Sequence, residues 1–527
     1  MNRINILDCT LRDGGYCNNW NFGFDNIKKI VNNLLESKID IIECGFLTDS
    51  FKNHPPFSFS KFNNLEQIKN IIPQNKQHCK FVAMINFGDF DISNLPQHDS
   101  NSALDGIRVA FHKKDLKDAL QVCKKIKEKG YLVFVQPMLS SCYSDSEFLS
   151  LIEKVNQFTP YAFYIVDSFG TISVKNLVRL FYIVENNLNR NIWIGFHSHN
   201  NMQLAFSNAQ SLLDIQVNRN IIIDSSIFGM GRGAGNLNTE LFLNCLNEDF
   251  GTDYKLPPIL NVIDEILNDF YKKNPWGYSL QTYLSAKHNI HPNYASFLTD
   301  KNTLTIEDIN KIFCLMDENK KYSFDKKYIE QLYLSYMSQS PILTVAPFLA
   351  ETLKNNTILL IAPGKTSETE KEKIIAFANQ SDVISISINF NYSHLDPKWI
   401  FISNLRRFKQ LPQKYHSKLI TTSNIPCDNA YYKAKYSSLL LPEEGIEDNA
   451  GLMAIKLLIS LGVKKIKLAG FDGYSAHEEE NFINNLTLAI NNSLAEKMNI
   501  GMSKMLKEFS KTISLEFLTT PKKLTIC

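Results

Sequence analysis

The sequence has no excess of charge of either sign, since 56 lysine and arginine residues face 54 aspartate and glutamate residues, giving a net charge of +2. A nucleic-acid-binding surface usually needs a basic excess, so we expect a small-molecule partner and no nucleic-acid partner. The sequence also lacks an apolar run of about 18 residues and a secretory signal pattern. We therefore expect a cytoplasmic protein with no membrane partner.

Closely spaced cysteine pairs are absent too. Ten cysteines are spread from Cys9 to Cys527 without a CxxC pair. This distribution favours reduced, mostly buried thiols over a disulfide framework. The length of 527 residues predicts two or three domains, at roughly 150 residues per domain.

The first half of the chain alternates short β-branched runs with amphipathic helical stretches, which is the pattern of repeated βα units. Eight such strands match a (β/α)8 TIM barrel, which we place at residues 1–250. The predicted strands are Ile4–Asp8, Ile39–Gly45, Lys80–Ile85, Gly106–Phe111, Tyr131–Gln136, Phe163–Asp167, Ile192–His197 and Ile221–Ser225.

The pattern changes twice after the predicted barrel. Residues 251–345 favour helices separated by Pro, Asn and Asp, and we interpret them as a helical extension. Residues 346–527 return to strands followed by helices, which predicts a Rossmann-like α/β domain. Its first strand runs into a loop that offers a phosphate site at a helix N-terminus, formed by Gly364, Lys365, Thr366 and Ser367.

Polar residues gather where three of the predicted barrel strands end, and barrel enzymes carry their active sites at this rim. Strand one is followed by Arg12 and Asp13, strand seven ends at His197 and His199, and a glycine-rich stretch after strand eight ends at Asn236. Side chains alternate along a strand, so the two histidines face the same side. Each motif alone is compatible with an ordinary turn or hydrogen-bonded pair, but their joint occurrence predicts a metal site.

The segments LDCTLRDGG, HSHNN and GMGRGAGN resemble the signature segments of the DRE-TIM metallolyase superfamily, most closely its 4-hydroxy-2-oxovalerate aldolase-type members. The resemblance implies that Asp13, His197 and His199 bind a divalent metal. Oxygen and imidazole ligands without a thiolate favour Mn²⁺ or Mg²⁺, with Co²⁺ as a further candidate. It also implies that Arg12 stabilises an enolate oxygen and that Asn236 completes or borders the metal's coordination shell.

Two departures from the family pattern bear on the reaction. Acyl-CoA-condensing members carry Glu-Gln or Leu-Gln just after RDG, whereas this chain has Gly15 and Tyr16, which favours the aldolase members. Those aldolases, however, place a catalytic histidine where this chain has Tyr16. The proton-transfer group therefore stays open between Tyr16, a metal-bound water, and His288 or His291 from the helical extension.

The resemblance implies metal-dependent aldol chemistry. Cleavage converts a 4-hydroxy-2-oxo acid to pyruvate and an aldehyde, and condensation is the reverse reaction. A Claisen-type acyltransferase that joins acetyl-CoA to a 2-oxo acid is the first alternative. The second is a non-catalytic binding protein that uses its C-terminal domain. That domain faintly resembles sialyltransferase and motility-accessory-factor folds, which implies a nucleotide or nucleotide-sugar ligand. The alternative is that the domain serves as a scaffold or in oligomerisation. We also expect a homo-oligomer.

Overall fold

The computed structural model describes residues 4–51, 58–301, 303–338, 347–481 and 492–526. The chain divides into two compact units, one comprising residues 1–295 and 321–323 and the other residues 296–320 and 324–527. The stretch predicted as a helical extension contains helices, but it is divided between the two units and does not form a unit of its own. None of the helices in the described ranges is long and apolar enough to cross a membrane.

The first unit is built on a closed barrel of eight parallel strands, which confirms the predicted TIM barrel. Their order is β1-β9-β8-β7-β6-β5-β4-β2, β1 pairs with β2 to close the barrel, and a short strand β3 adds to β2. Strands β1, β5 and β9 have the predicted bounds, and the other five differ by one or two residues. The strands are β1 (Ile4–Asp8), β2 (Ile41–Leu47), β3 (Lys61–Phe62), β4 (Lys80–Asn86), β5 (Gly106–Phe111), β6 (Leu132–Pro137), β7 (Ala162–Asp167), β8 (Trp193–Ser198) and β9 (Ile221–Ser225).

The helices of this unit bury one apolar stripe each, as outer-ring helices of a barrel do. In the helix between β5 and β6, for example, Ala119, Leu120, Cys123 and Ile126 are the buried residues. The helices are α1 (Thr10–Asp13), α2 (Phe24–Glu36), α3 (Leu65–Lys69), α4 (Leu116–Glu128), α5 (Asp145–Asn156), α6 (Val174–Asn187), α7 (Ala205–Leu213), α8 (Thr239–Phe250), α9 (Leu256–Val262), α10 (Asn268–Lys273) and α11 (Leu280–Lys287). A helix α12 (Pro292–Asp300) follows.

The barrel interior changes from apolar to charged toward the carboxyl ends of the strands. Ile41 and Ile222 belong to a buried apolar cluster inside the barrel. Glu43 and Asp224 lie two residues further along the same strands, so the period of two places them on the same inward face. Arg108 of β5 is fully buried as well. Buried charges persist only when they are paired, and Arg108 is paired with both Glu43 and Asp224.

The second unit contains a parallel sheet of seven strands in the order β14-β13-β12-β11-β10-β15-β16. The predicted Rossmann-like α/β class is therefore confirmed. The connections run in one direction from β10 to β14 and then cross to the other side of β10 at β15, which creates a topological switch point. The strands are β10 (Thr357–Ile361), β11 (Val383–Ile388), β12 (Trp399–Ile402), β13 (Leu419–Thr422), β14 (Tyr432–Ala434), β15 (Lys465–Ala469) and β16 (Ser514–Phe517).

Helices cover this sheet and precede it in the chain. Two of them, α20 and α22, bury Leu452, Ile455, Met502 and Leu506 among other side chains. The helices are α13 (Ile306–Cys314), α14 (Lys326–Met337), α15 (Pro347–Lys354), α16 (Thr366–Thr369), α17 (Lys371–Ala378), α18 (Leu405–Gln410), α19 (Tyr436–Leu439), α20 (Ala450–Ser460), α21 (Glu478–Asn481) and α22 (Asn492–Ser510).

Candidate active site

Three buried side chains converge at the carboxyl ends of the barrel strands. Asp13 ends the short helix after β1, His197 lies in β8, and His199 follows β8. One ligand atom from each lies within 4.8 Å of the others, and His199 Nδ1 is 3.7 Å from Asp13 Oδ2. Two ligand atoms that each lie about 2.0 to 2.2 Å from one ion can be up to about 4.4 Å apart, so the 3.7 Å between His199 Nδ1 and Asp13 Oδ2 is compatible with a shared ion. The structure therefore brings together the three residues predicted to bind a metal.

The two histidine rings lie in different environments, and each environment suits the ring to bind a metal ion. His197 Nδ1 lies 2.9 Å from the Asp224 carboxylate, an arrangement that keeps the proton on Nδ1 and leaves the Nε2 lone pair free. His199 Nδ1 is buried and has no hydrogen-bond partner among the described residues. Burial lowers the pKa of His199 to about 3, despite the opposing charge of Asp13. Both imidazoles can therefore offer a lone pair to a metal ion.

The Asp13 carboxylate is held ionised between two donors. Arg12 Nη1 donates to Asp13 Oδ1 at 2.8 Å, and Asn236 Nδ2 donates to Asp13 Oδ2 at 2.6 Å. Burial acts to raise the pKa of Asp13, but the positive charge of Arg12 holds it well below its ordinary range. The Oδ1 atom of Asn236 is buried without a partner within the described ranges. This orphaned oxygen, together with His199 Nδ1, fits the donor set of a divalent ion.

The guanidinium of Arg12 binds two carboxylates with two of its nitrogens and leaves the third without a partner among the described residues. Its Nη1 binds Asp13, and its Nε donates to Glu43 Oε2 at 2.8 Å. Its Nη2 is buried and has no partner among the residues that the structure describes. The two bound nitrogens fix the plane of the guanidinium, and the third is left to donate to a substrate oxygen.

A chain of buried charges joins Arg12 to His197. Glu43 Oε2 also lies 2.9 Å from Arg108 Nη1, and the other end of Arg108 is paired with Asp224, the partner of His197. Sequence analysis missed the roles of Arg108 and Asp224. The available signal was a single charge inside each of the apolar strands GIRVAF and IIIDS, because such a charge must be paired.

The glycine-rich stretch after β9 packs directly against this group. A Cβ atom on Gly231 would lie 2.2 Å from Asn236 Nδ2 and 2.8 Å from Asp13 Oδ2, and one on Gly233 would lie 2.7 Å from Asn201 Oδ1. Glycine at these two positions therefore lets the loop approach the carboxylate and amide closely.

The candidates for proton transfer lie in different settings. Tyr16 follows Asp13 in a 3-10 turn, is 40% exposed, and packs edge-on against Trp20 with ring centroids 4.7 Å apart. The ring of His291 lies 6.4 Å from that of Phe169, just after β7, which brings it to the same rim. His288 is the C-terminal cap of α11, with its amide bonded to Leu284 O.

The loop predicted to bind phosphate in the second unit has internal partners. The Thr366 amide donates to Asp472 Oδ2 at 2.8 Å, its hydroxyl binds the same carboxylate, and Ser367 donates to Gly364 O at 2.7 Å. The amide and hydroxyl of Thr366, two groups that this loop would offer to a phosphate, are thus bonded to Asp472. Of the four predicted residues, Gly364 lines a cavity, whereas Lys365, Thr366 and Ser367 do not.

That cavity has a volume of about 410 Å³ and lies wholly within the second unit. Part of its wall follows the carboxyl ends of β10, β11, β12 and β15 and includes Gly364, Asn389, Asn404, Arg407 and Asp472. The helices α12, α14, α20 and α22 supply other lining residues. Open parallel sheets bind ligands in this place, next to the topological switch point.

Comparison with known proteins identifies the family of the barrel. Residues 3–264 match the family HMGL-like. A 4-hydroxy-2-oxovalerate aldolase from Geobacillus genomosp. 3 is 28% identical over 244 residues, 46% of this chain and 70% of that protein. An oxaloacetate decarboxylase from Mycobacterium tuberculosis is 22% identical over 244 residues, 46% of this chain and 69% of that protein.

A crystal structure gives an independent match. The N-terminal domain of a candidate aldolase from Bacteroides vulgatus is 29% identical with a TM-score of 0.50, and the match covers 58% of this chain and 99% of that domain. The sequence and structural comparisons agree with the three motifs and with the barrel that carries them. Residues 3–264 of this chain therefore form a domain of the HMGL-like family, the DRE-TIM group to which the motifs pointed.

Proposed function

We propose that the barrel catalyses aldol cleavage or condensation between a 4-hydroxy-2-oxo acid and the pair pyruvate plus aldehyde. The observation that carries this proposal is the buried group of Asp13, His197 and His199 beside the unpartnered Nη2 of Arg12. The two named relatives, an aldolase and a decarboxylase, are carbon–carbon lyases, which supports this reaction class.

The donor set is suited to Mn²⁺, Mg²⁺ or Co²⁺, because it consists of carboxylate, imidazole and amide groups without a thiolate. Asp13, His197 and His199 would hold the ion, with Asn236 Oδ1 beside them. An ion bound there would supply Lewis-acid polarisation of the 2-oxo acid and a template for its carboxylate and carbonyl oxygens.

In the cleavage direction, a base removes the proton of the 4-hydroxyl group and the C3–C4 bond breaks. The electron pair of that bond moves to the 2-oxo oxygen, which gives an aldehyde and the enolate of pyruvate. Arg12 Nη2 donates to the oxygen on which the charge develops, and its orientation is fixed beforehand by Asp13 and Glu43. Protonation of C3 then gives pyruvate. Condensation uses the same groups in reverse.

The proton-transfer group is assigned to Tyr16 in preference to His291, because its position is tied to the motif that carries Asp13. Replacing Tyr16 by Phe is expected to lower the rate of aldehyde release by about 100-fold, the lower end of what a positioned acid or base contributes. Metal-dependent exchange of pyruvate methyl protons, measured on the same sample, reports whether the rest of the site is intact. Near-normal cleavage in Y16F together with a large loss in His291→Gln would transfer the role to His291.

The reaction class is tested by offering the two candidate substrate pairs side by side. Pyruvate with a panel of aldehydes, in the presence of Mn²⁺ or Mg²⁺, should yield 4-hydroxy-2-oxo acids detected by mass spectrometry. Release of free coenzyme A from acetyl-CoA and a 2-oxo acid would instead indicate the Claisen-type alternative. If neither pair reacts and a nucleotide raises the melting temperature, the non-catalytic binding alternative is favoured.

We also propose that the cavity of the second unit binds a nucleotide or nucleotide-sugar, supported by its place at the switch point and by Arg407 in its wall. Calorimetric titration with cytidine, uridine and guanosine nucleotides should detect a site that does not depend on divalent metal. Arg407→Gln is expected to weaken binding roughly 10-fold, the effect of losing one charge-assisted hydrogen bond. The neighbouring Arg406→Gln is the control, since Arg406 is exposed and does not line the cavity. If none of these nucleotides binds, this ligand class is excluded.

A further inference from the structure

Arg232 is a cation without a carboxylate partner at the mouth of the barrel. It is half-buried in the glycine-rich stretch after β9, and its Nη2 donates to the carbonyl oxygen of Ser168 at 3.3 Å. In the parts of the chain that the structure describes, no acidic oxygen lies within ion-pair distance of it, whereas Arg12 and Arg108 are each paired with two carboxylates. Arg232 therefore keeps guanidinium donors for another group.

Two contacts fix the position of this guanidinium, one with Ser168 and one with the Tyr16 ring. Ser168 follows β7 and Tyr16 follows β1, and the Arg232 guanidinium carbon lies 5.5 Å from the centre of the Tyr16 ring. Strands β8 and β9 lie between β7 and β1 in the barrel. Because the Arg232 side chain contacts both Ser168 and Tyr16, it must extend across the rim above β8, the strand that carries His197.

The backbone next to Arg232 confirms that it borders the metal-binding group. The preceding residue, Gly231, lies so close that a Cβ atom there would be 2.8 Å from Asp13 Oδ2. The ring of His291 is on the same rim, and burial together with the charge of Arg232 lowers the pKa of His291 to about 4. His291 is therefore neutral near pH 7, and Arg232 remains the fixed positive charge at this side of the mouth.

The proposed aldol reaction assigns the other cationic positions to the 2-oxo acid. Asp13, His197 and His199 would hold the ion that binds the 2-oxo acid, and Arg12 Nη2 takes the enolate oxygen. Arg232 lies at the rim, where the second reactant must enter. A partly buried guanidinium that lacks a carboxylate partner gains most from an anionic ligand, because charge-assisted hydrogen bonds are about twice as strong as neutral ones.

We propose that Arg232 is a specificity-determining residue that binds an anionic group, a carboxylate or a phosphate, on the aldehyde partner. The barrel then prefers an acidic aldehyde to a neutral aldehyde of the same length. In the cleavage direction, its substrate is a 4-hydroxy-2-oxo acid that carries a second anionic group beyond C4. This inference rests on the aldol reaction proposed above and narrows its substrate class.

The test compares matched aldehydes in condensation with pyruvate. Succinic semialdehyde is paired with butanal, and glyceraldehyde 3-phosphate with glyceraldehyde, so that the two pairs distinguish carboxylate from phosphate. The wild-type protein should show a higher kcat/KM for the anionic member of at least one pair. In Arg232→Gln this preference should fall by roughly 10- to 100-fold, the range for one hydrogen bond to a charged group. Arg232→Lys, which retains the charge, should keep part of it.

Arg179→Gln is the matched control, because Arg179 is an exposed arginine on the outer helix α6. Its ratio of anionic to neutral kcat/KM should equal that of the wild type. Equal kcat/KM values for both members of each pair in the wild type, or an unchanged ratio in both Arg232 variants, would overturn the assignment of Arg232. Exchange of pyruvate methyl protons without any aldehyde tests the aldol proposal separately. If that exchange is absent, the aldol proposal fails and this inference fails with it; if it is present and the ratios do not change, only the role of Arg232 fails.

Discussion

Replacing Arg12 by lysine is expected to lower kcat for aldol cleavage by about 10²- to 10³-fold at saturating Mn²⁺, the cost of removing one preorganised donor from a developing oxyanion. The guanidinium performs three tasks with three nitrogens: it binds Asp13, binds Glu43, and leaves Nη2 for the substrate oxygen. A lysine ammonium is a point charge on a flexible stem and cannot occupy the three positions together. The substitution therefore removes the oriented donor while it keeps the positive charge.

Two measurements separate this effect from a loss of structure or of metal. The number of Mn²⁺ ions bound per chain should stay at one in R12K, although affinity is expected to fall by about 10-fold because Asp13 loses an orienting partner. The exposed Arg179→Lys, with the same chemical change on an outer helix, should cleave at the wild-type rate. Cleavage by R12K within about threefold of wild type, with the ion bound, would contradict the role given to Arg12.

Replacing His199 by alanine is expected to weaken binding of the divalent ion by more than about 100-fold, the upper end of what removing a ligand's outer partner costs. The structure shows why this residue is the informative one. Its Nδ1 is buried, faces Asp13 at 3.7 Å, and has no hydrogen bond among the described residues that would explain its burial. Because less ion is bound, aldol activity should also fall. A very high metal concentration should restore it only in part.

The control for this prediction is His78→Ala, since His78 is an exposed histidine on the same unit. Titration of Mn²⁺, followed by the spin-resonance signal of the free ion, should give one site per chain for the wild type and for H78A. Equal Mn²⁺ affinity in H199A and the wild type would remove His199 from the ligand set.

The barrel was predictable because a parallel strand buried on both faces leaves an apolar run that is visible in the sequence. The bounds were less accurate where burial continues past the predicted end. Strand β2 is the example: Gly45 was its predicted last residue, but burial and pairing continue through Phe46 and Leu47. In the second unit, the strand β14 has only three residues, which give too little pattern to recognise in a sequence.

The convergence of Asp13, His197 and His199 was also predictable, because strand alternation and the shared rim of a barrel relate residues far apart in sequence. The network behind them was not. Arg108 and Asp224 are 116 residues apart, and a lone charge in a strand does not identify its partner. The bond between the Thr366 amide and Asp472, 106 residues later, could not be predicted for the same reason.

The central claim is that this barrel forms the enolate of a 2-oxo acid with the help of a divalent ion, and exchange of the methyl protons of pyruvate with deuterated water tests it most directly. The exchange needs neither an aldehyde nor a decision about the physiological direction. The account predicts that the wild type with Mn²⁺ exchanges these protons, that a chelator stops the exchange, and that R12K and H199A are slowed strongly while H78A is not. Absence of exchange in wild-type protein that holds its ion, or exchange that continues unchanged after the ion is removed, would contradict it.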